Sequence, residues 1–217
     1  MRVNPQASNF RYLFAGLVIL LVTEPIGDVV LGARSDHVFG LLLSVAVLAG
    51  VWGLQPSRLW LRVGRALAAS AMVLAIAGTV WPDPSLQTAN WLVAALFFLM
   101  SIRLGLQAVL TGGRITTNHL FGAMSVYLLL GVTWALAFGA LHRFVPGSFA
   151  GLSTGSPSEF LYFSFVTLAT LGYGDIAPVH PIARTVVYLE AVVGQLYVAV
   201  LIASLVSRHV ATTRGRD

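Results

Sequence analysis

Long apolar stretches separated by short polar ones run along most of this chain. A helix needs roughly 20 mostly apolar residues to cross a membrane, and six stretches reach or approach that length. The predicted spans are approximately Tyr12–Leu31, Val38–Leu54, Ala66–Trp81, Trp91–Leu110, Leu120–Leu141 and Ile182–Ser207. A seventh segment, Pro157–Ala169, covers only about 20 Å as a helix, against a hydrocarbon core of about 30 Å. It is predicted to enter the membrane and return.

Composition supports an integral membrane protein. The chain has 217 residues, of which 57% are hydrophobic and 10% are charged, and this excludes an ordinary soluble domain. It has no cysteine, which excludes disulfides and thiolate metal sites. We expect no cofactor.

Arginines predict the orientation of the spans, because basic loops stay on the cytoplasmic side. They cluster before the first span, between the second and third, after the fourth and after the last. An even number of spans with both termini cytoplasmic satisfies this pattern in the cell membrane, either plasma or inner. Interfacial aromatic residues are expected near span ends, at Trp60, Trp81 and Trp91.

The short seventh segment has a marked beginning. Ser156, Pro157, Ser158 and Glu159 form a capping-box pattern with proline at the first helical position. An ordinary surface helix could begin in the same way, but the residues that follow are too apolar for water. The C-terminus of this helix would point towards the membrane midplane, where its dipole favours a cation.

The residues Thr170-Leu171-Gly172-Tyr173-Gly174-Asp175, the filter segment, follow this helix directly. Gly172 and Gly174 can adopt backbone angles that other residues avoid, so successive carbonyl oxygens can turn towards one axis. Four copies of the segment would stack rings of oxygen that replace the water around a potassium ion. One copy cannot enclose an axis, so a homotetramer is expected.

The stretch from about Leu120 to Ser207 resembles the pore domain of tetrameric potassium channels. By this resemblance Thr170, Leu171, Gly172 and Tyr173 offer backbone carbonyls to K⁺, and Thr170 adds its hydroxyl. Leu171 replaces a commoner valine or isoleucine. The outer residues Gly174 and Asp175 would support the filter, and Thr167 matches a threonine of the helix before it. Ala169 stands where the family often has a second threonine.

The resemblance implies an all-α membrane protein with six transmembrane helices, a re-entrant pore helix and a filter loop in each of four subunits. Residues 1–114 would form a four-helix bundle and residues 115–217 the pore domain. The implied function is passive, potassium-selective conduction. A nonselective cation channel and a potassium-uptake transporter subunit are the alternatives, and Tyr173 argues against the first. After Ser207 too few residues remain for a folded cytoplasmic domain.

Two positions in the last span are candidates for gating. Gly194 lies where the family often has a hinge glycine, but close helix packing explains a glycine equally well. Glu190 is an acid within hydrocarbon, and such groups usually face protein or water. It could brace the back of the pore helix, lie near the cavity entrance, or form a hydrogen bond of purely structural value.

The first four spans have the layout of a voltage sensor without its charges. The fourth predicted span contains one arginine, Arg103, so weak or absent voltage dependence is predicted. Glu24 and Asp28 share a face of the first span and could pair with Arg103. A structural ion pair, an outward vestibule and a remnant of sensor geometry remain open. Pro25 is expected to kink this span.

The remaining polar residues bear on lipid binding and on whether the chain is an enzyme or a nucleic-acid-binding protein. Arg58, Arg62 and Arg65 give the second connection an amphipathic pattern that could bind anionic lipid, although topology alone also explains them. Neither an enzyme nor a nucleic-acid-binding protein is expected. The histidines lie at loops and span ends and form no metalloprotease pair, and the net charge reflects cytoplasmic arginines.

Overall fold

The structure, a computed structural model, describes residues 10–31, 39–46, 58–81, 83–111 and 116–214. It is an all-α membrane protein, as predicted. In chain order the elements are α1 (Phe10–Leu31), α2 (residues 39–46), α3 (Arg58–Val80), α4 (Pro84–Thr111), α5 (Thr117–Phe144), β1 (Phe149–Ala150), α6 (Pro157–Leu168), β2 (Ala177–Pro178) and α7 (Pro181–Arg214). The two short strands pair antiparallel.

Five helices of the described part are long and apolar enough to cross a membrane: α1, α3, α4, α5 and α7. They correspond to five of the six predicted spans. The remaining span, Val38–Leu54, is helical at residues 39–46, and its other residues lie outside the described part. The count of six therefore stays a prediction. The short helix α6 begins at Pro157 and ends at Leu168, close to the predicted bounds.

Helices α3 and α4 begin earlier than predicted. Residues 58–65 were expected to form a connection, but α3 already begins at Arg58, because this stretch is rich in leucine and arginine, which favour helix. Helix α4 begins at Pro84, where the Asp83 carboxylate accepts a hydrogen bond from the Ser85 backbone N–H at 2.8 Å. This bond lowers the pKa of Asp83.

Trp91 was expected at an interfacial span end, but α4 begins at Pro84, so Trp91 lies within the helix. This residue is 2% exposed, with the Arg143 guanidinium 4.4 Å from the centre of its ring. It is therefore a buried packing residue and not part of an interfacial belt.

Helix α5 lies at the centre of the chain and packs against α1, α4, α6 and α7. Glycines allow the closest approaches, as small residues do between helices in membranes. A Cβ atom on Gly122 would lie 3.2 Å from Phe10 of α1, and one on Gly139 would lie 2.6 Å from Trp91 of α4. Buried residues from α1, α4, α5 and α6 form one continuous core. The predicted domain boundary at residue 114 lies outside the described residues.

Candidate functional site

The start of α6 is held by the side chain of Glu159. Its carboxylate accepts hydrogen bonds from four backbone N–H groups, those of Ser153 (2.6 Å), Thr154 (3.1 Å), Gly155 (2.6 Å) and Ser156 (3.3 Å). The predicted capping box between Ser156 and Glu159 is present. Partial burial raises the pKa of Glu159, but the four backbone donors outweigh it and lower the pKa. The site therefore begins with a fixed anionic cap on α6.

The filter segment starts by folding back onto the last turn of α6. The Thr170 N–H donates to the Thr167 carbonyl at 3.0 Å. The N–H groups of Leu171 and Gly172 both donate to the Val166 carbonyl, at 2.9 and 3.3 Å. These bonds attach the inner end of the segment to the negative end of the α6 dipole, a position that favours a cation.

Backbone conformation alternates along the filter segment. Thr170, Gly172 and Gly174 have positive φ values of 59°, 59° and 80°, whereas Leu171 and Tyr173 between them do not. When residues with positive and negative φ alternate, successive carbonyl groups point in the same direction. In a β-strand, by contrast, successive carbonyl groups point in opposite directions. Glycine adopts positive φ without strain, but a β-branched threonine there is a genuine outlier of the kind found at functional sites.

The filter segment is also exposed. Every residue from 169 to 175 is accessible on this single chain, including the large side chains of Leu171 (56%) and Tyr173 (66%). The candidate cation ligands are the main-chain carbonyls of residues 170–173. Among the residues that the structure describes, no cluster of histidine and acidic side chains could hold a metal ion.

The outer end of the filter segment is fixed by Tyr162 of α6. Its hydroxyl donates to Asp175 Oδ2 at 2.7 Å, and its ring stacks on Tyr173 with 6.4 Å between centroids and 5° between planes. The bond raises the pKa of Tyr162 to about 12 and lowers that of Asp175. Sequence reasoning missed Tyr162. The available signal was a tyrosine, with its polar tip, within a short apolar helix.

Glu190 of α7 lies at the back of α6 and is fully buried. Ser164 of α6 links it to α5, because its Oγ atom is 2.5 Å from Glu190 Oε1 and 2.8 Å from the Gly131 carbonyl oxygen. A single side chain thus joins three helices behind the filter segment. The bond from Ser164 to Gly131 had no sequence signal, because it depends on how α5 and α6 meet.

Gly194 of α7 is in close contact with the end of α6. A Cβ atom at this position would lie 2.6 Å from Leu168 Cδ1 and 3.3 Å from the Leu168 carbonyl oxygen. Leu168 itself is 1% exposed, so it has little room to move. Close packing accounts for this glycine in the structure, and a hinge role remains untested.

The charged residues of the front helices, α1 to α4, differ in burial. Glu24 of α1 is buried, whereas Arg103 of α4 is exposed. The side chain of Asp28 is outside the described part, so the predicted pairing of these groups stays a prediction. Arg62 and Arg65 are exposed on the first turns of α3, and the Arg58 side chain is not described.

Comparison with known proteins matches residues 115–210 to the family described as "Ion channel". The inward rectifier potassium channel Kirbac3.1 of Paramagnetospirillum magnetotacticum is 35% identical over 94 residues, which are 42% of this chain and 29% of that protein. Two pore potassium channel c of Oryza sativa subsp. japonica is 35% identical over 91 residues, 41% of this chain and 18% of that protein.

Two-pore potassium channel 5 of Arabidopsis thaliana is 32% identical over 82 residues, 38% of this chain and 18% of that protein. The chain therefore spans less than a third of the length of these curated relatives. No solved structure gave a significant match.

Proposed function

We propose that this chain forms a channel that conducts potassium ions passively across the cell membrane. Its residues 115–210 match the ion channel family, and a stretch of similar length resembles potassium channels. Thr170, Leu171, Gly172 and Tyr173 provide the backbone carbonyls that replace the water around the ion, and Thr170 adds its hydroxyl. Gly174, Asp175 and Thr167 support these residues. K⁺ is the permeant substrate.

The observation that carries the proposal is the alternating backbone of the filter segment on an exposed surface. Carbonyl groups that share one direction can coordinate a dehydrated cation, but one chain supplies only one side of the coordination shell. Four copies around an axis complete it, so the channel is a homotetramer.

We further propose that the channel is weakly voltage-dependent or independent of voltage. Helix α4 contains a single arginine, Arg103. Voltage sensing of ordinary steepness needs about three to four moving charges in each subunit. The front helices therefore act in some role other than a steep voltage sensor. Both termini are cytoplasmic, and the exposed Arg62 and Arg65 contact anionic lipid headgroups.

Ion flux from liposomes that contain the purified protein tests the function. We expect K⁺ and Rb⁺ to pass and Na⁺ to be excluded. The variant Gly172→Asp should lose selectivity or conductance, because it replaces a positive-φ glycine and places a charge beside the ion path.

Equal flux of Na⁺ and K⁺ would favour a nonselective cation channel. Flux that saturates and depends on a coupled ion would favour a transporter subunit. A monomeric or dimeric particle in detergent and in lipid would contradict the proposed architecture.

A further inference from the structure

A short outer loop touches the outer end of the filter segment. Gly151 in this loop has φ +85°, and a Cβ atom built on it would lie 1.8 Å from the Asp175 carbonyl oxygen and 3.2 Å from Ile176 Cα. Both neighbours are backbone atoms, which cannot rotate away as a side-chain end can. The loop and the filter segment are therefore in contact through main chain on both sides.

Hydrogen bonds attach the same loop to the residues that follow the filter segment. Strands β1 and β2 pair with Phe149 opposite Pro178 and Ala150 opposite Ala177. One residue earlier, the Ser148 carbonyl accepts from the Val179 N–H at 2.9 Å and from the His180 N–H at 3.3 Å. The residues that follow the filter segment are therefore hydrogen-bonded to the outer loop in a short antiparallel pairing.

We propose that Gly151 is a positioning residue of the filter segment. Its lack of a side chain allows the loop to lie against Asp175, and the β1–β2 pairing holds it there. Asp175 is then fixed from two directions, by the Tyr162 hydroxyl on its side chain and by the loop on its carbonyl. This inference rests on the proposed function, because it concerns how the coordinating carbonyls of residues 170–173 are kept in place.

The variant Gly151→Ala, with Gly147→Ala as a matched control, tests the inference. Both glycines belong to the same outer segment and have similar positive φ, +85° and +80°, so alanine is strained at both. Only Gly151 has filter backbone within contact distance, whereas Gly147 has no atom within 4 Å of a Cβ position. The difference between the two variants therefore isolates the contact from the strain.

The measurement is K⁺ and Na⁺ flux from liposomes, together with the particle size of each variant. We expect Gly147→Ala to resemble the wild type, and Gly151→Ala to form particles of unchanged size with K⁺ flux or K⁺/Na⁺ selectivity lower by about tenfold or more, as displaced carbonyls hold the ion less tightly. Equal flux and selectivity in the two variants would overturn the inference. A wild type without K⁺ flux would instead overturn the proposed function.

A cysteine pair keeps the inference testable if Gly151→Ala does not assemble. The chain has no native cysteine, and Ala150 and Ala177 lie opposite each other at a spacing that suits a disulfide. After incubation without K⁺, the doubly substituted protein Ala150→Cys/Ala177→Cys should keep at least about threefold more flux when oxidised than when reduced, because the loop then holds the filter segment covalently. The same retained flux in both redox states would overturn the inference.

Discussion

At the scale of single residues, the hydroxyl of Tyr162 is one atom on which the outer end of the filter segment depends. The variant Tyr162→Phe removes the bond to Asp175 and leaves the ring stacked on Tyr173. We expect a severalfold loss of K⁺ flux or of K⁺/Na⁺ selectivity in liposomes. Tyr188→Phe is the control, because Tyr188 is also exposed but lies on α7 and takes no part in the contact of Tyr162 with Asp175 and Tyr173. Identical flux from the two variants would contradict the assigned role.

Glu159 gives a prediction about pH. Its pKa in the folded protein is below the usual value of 4.5, so its carboxylate stabilises the fold above that pH and loses this effect as the pH falls through the lower, folded-state value. The variant Glu159→Gln should therefore be less stable than the wild type at pH 7, by roughly 1 kcal/mol as for other helix caps. The difference should be full well above pH 4.5, decline as the pH falls below 4.5, and be lost once the pH is below the folded-state pKa.

Thermal unfolding in detergent across this pH range measures the effect. Asp83→Asn is a matched control at the start of α4, where the carboxylate accepts from the N–H of Ser85. We expect a smaller change there. A difference between wild type and Glu159→Gln that does not depend on pH would show that the charge of Glu159 is not involved.

At the scale of helices, Ser164 links α6 to both of its neighbours. The variant Ser164→Ala should lower the free energy of unfolding by about 1–3 kcal/mol, because it leaves a buried oxygen of Glu190 without this partner. Ser125→Ala is the control, since Ser125 is equally buried but bonds only to the Phe121 carbonyl of its own helix. Denaturant unfolding of purified protein compares them, and equal losses would contradict the linking role.

The contact between α6 and α7 separates the two interpretations of Gly194. If close packing matters, Gly194→Ala should cost about 1–3 kcal/mol in the wild type through overpacking against Leu168. The same change should cost much less in a Leu168→Ala background, where room is available. Unfolding measurements on the four proteins of this cycle test the prediction. An equal cost in both backgrounds, with altered open probability, would favour a hinge.

Most helix positions could be predicted from the pattern of hydrophobic and polar residues. Hydrophobic runs predicted α1, α5 and the start of α7 closely, and the capping box placed the start of α6 at Pro157. Helix α7 continues to Arg214, beyond the predicted end at Ser207. The starts of α3 and α4 were predicted too late, because polar residues at the membrane surface interrupt hydrophobicity without interrupting a helix.

The long-range contacts of the candidate site could not be predicted from sequence patterns. The string TLGYGD marks its carbonyls, since two of the three positive-φ positions, Gly172 and Gly174, are glycines, whereas the positive φ of Thr170 has no such signal in the sequence. The contacts of Tyr162, Ser164 and Gly151 join residues distant in sequence, and no local pattern encodes them.

At the scale of the whole molecule, the low charge content of α4 leads to the prediction of a weak response to voltage. One arginine in each subunit supplies at most about 2.3 kcal/mol per 100 mV if it crosses the entire field. We expect conductance in planar bilayers to change only gradually between about −100 and +100 mV. Arg103→Gln should weaken this dependence further, because it removes the single basic charge of α4. A switch from closed to open over a narrow voltage range would contradict the prediction.

The glycines of α5 place the neighbouring helices in direct contact with it. At Gly122 and Gly139 the front helices press directly on α5, and at Gly131 α5 presses on the ring of Phe165 in α6. A load that pulls α1 or α4 sideways in the bilayer is therefore passed to the back of α6 across the width of one helix, about 10 Å, with rigid contacts at both surfaces.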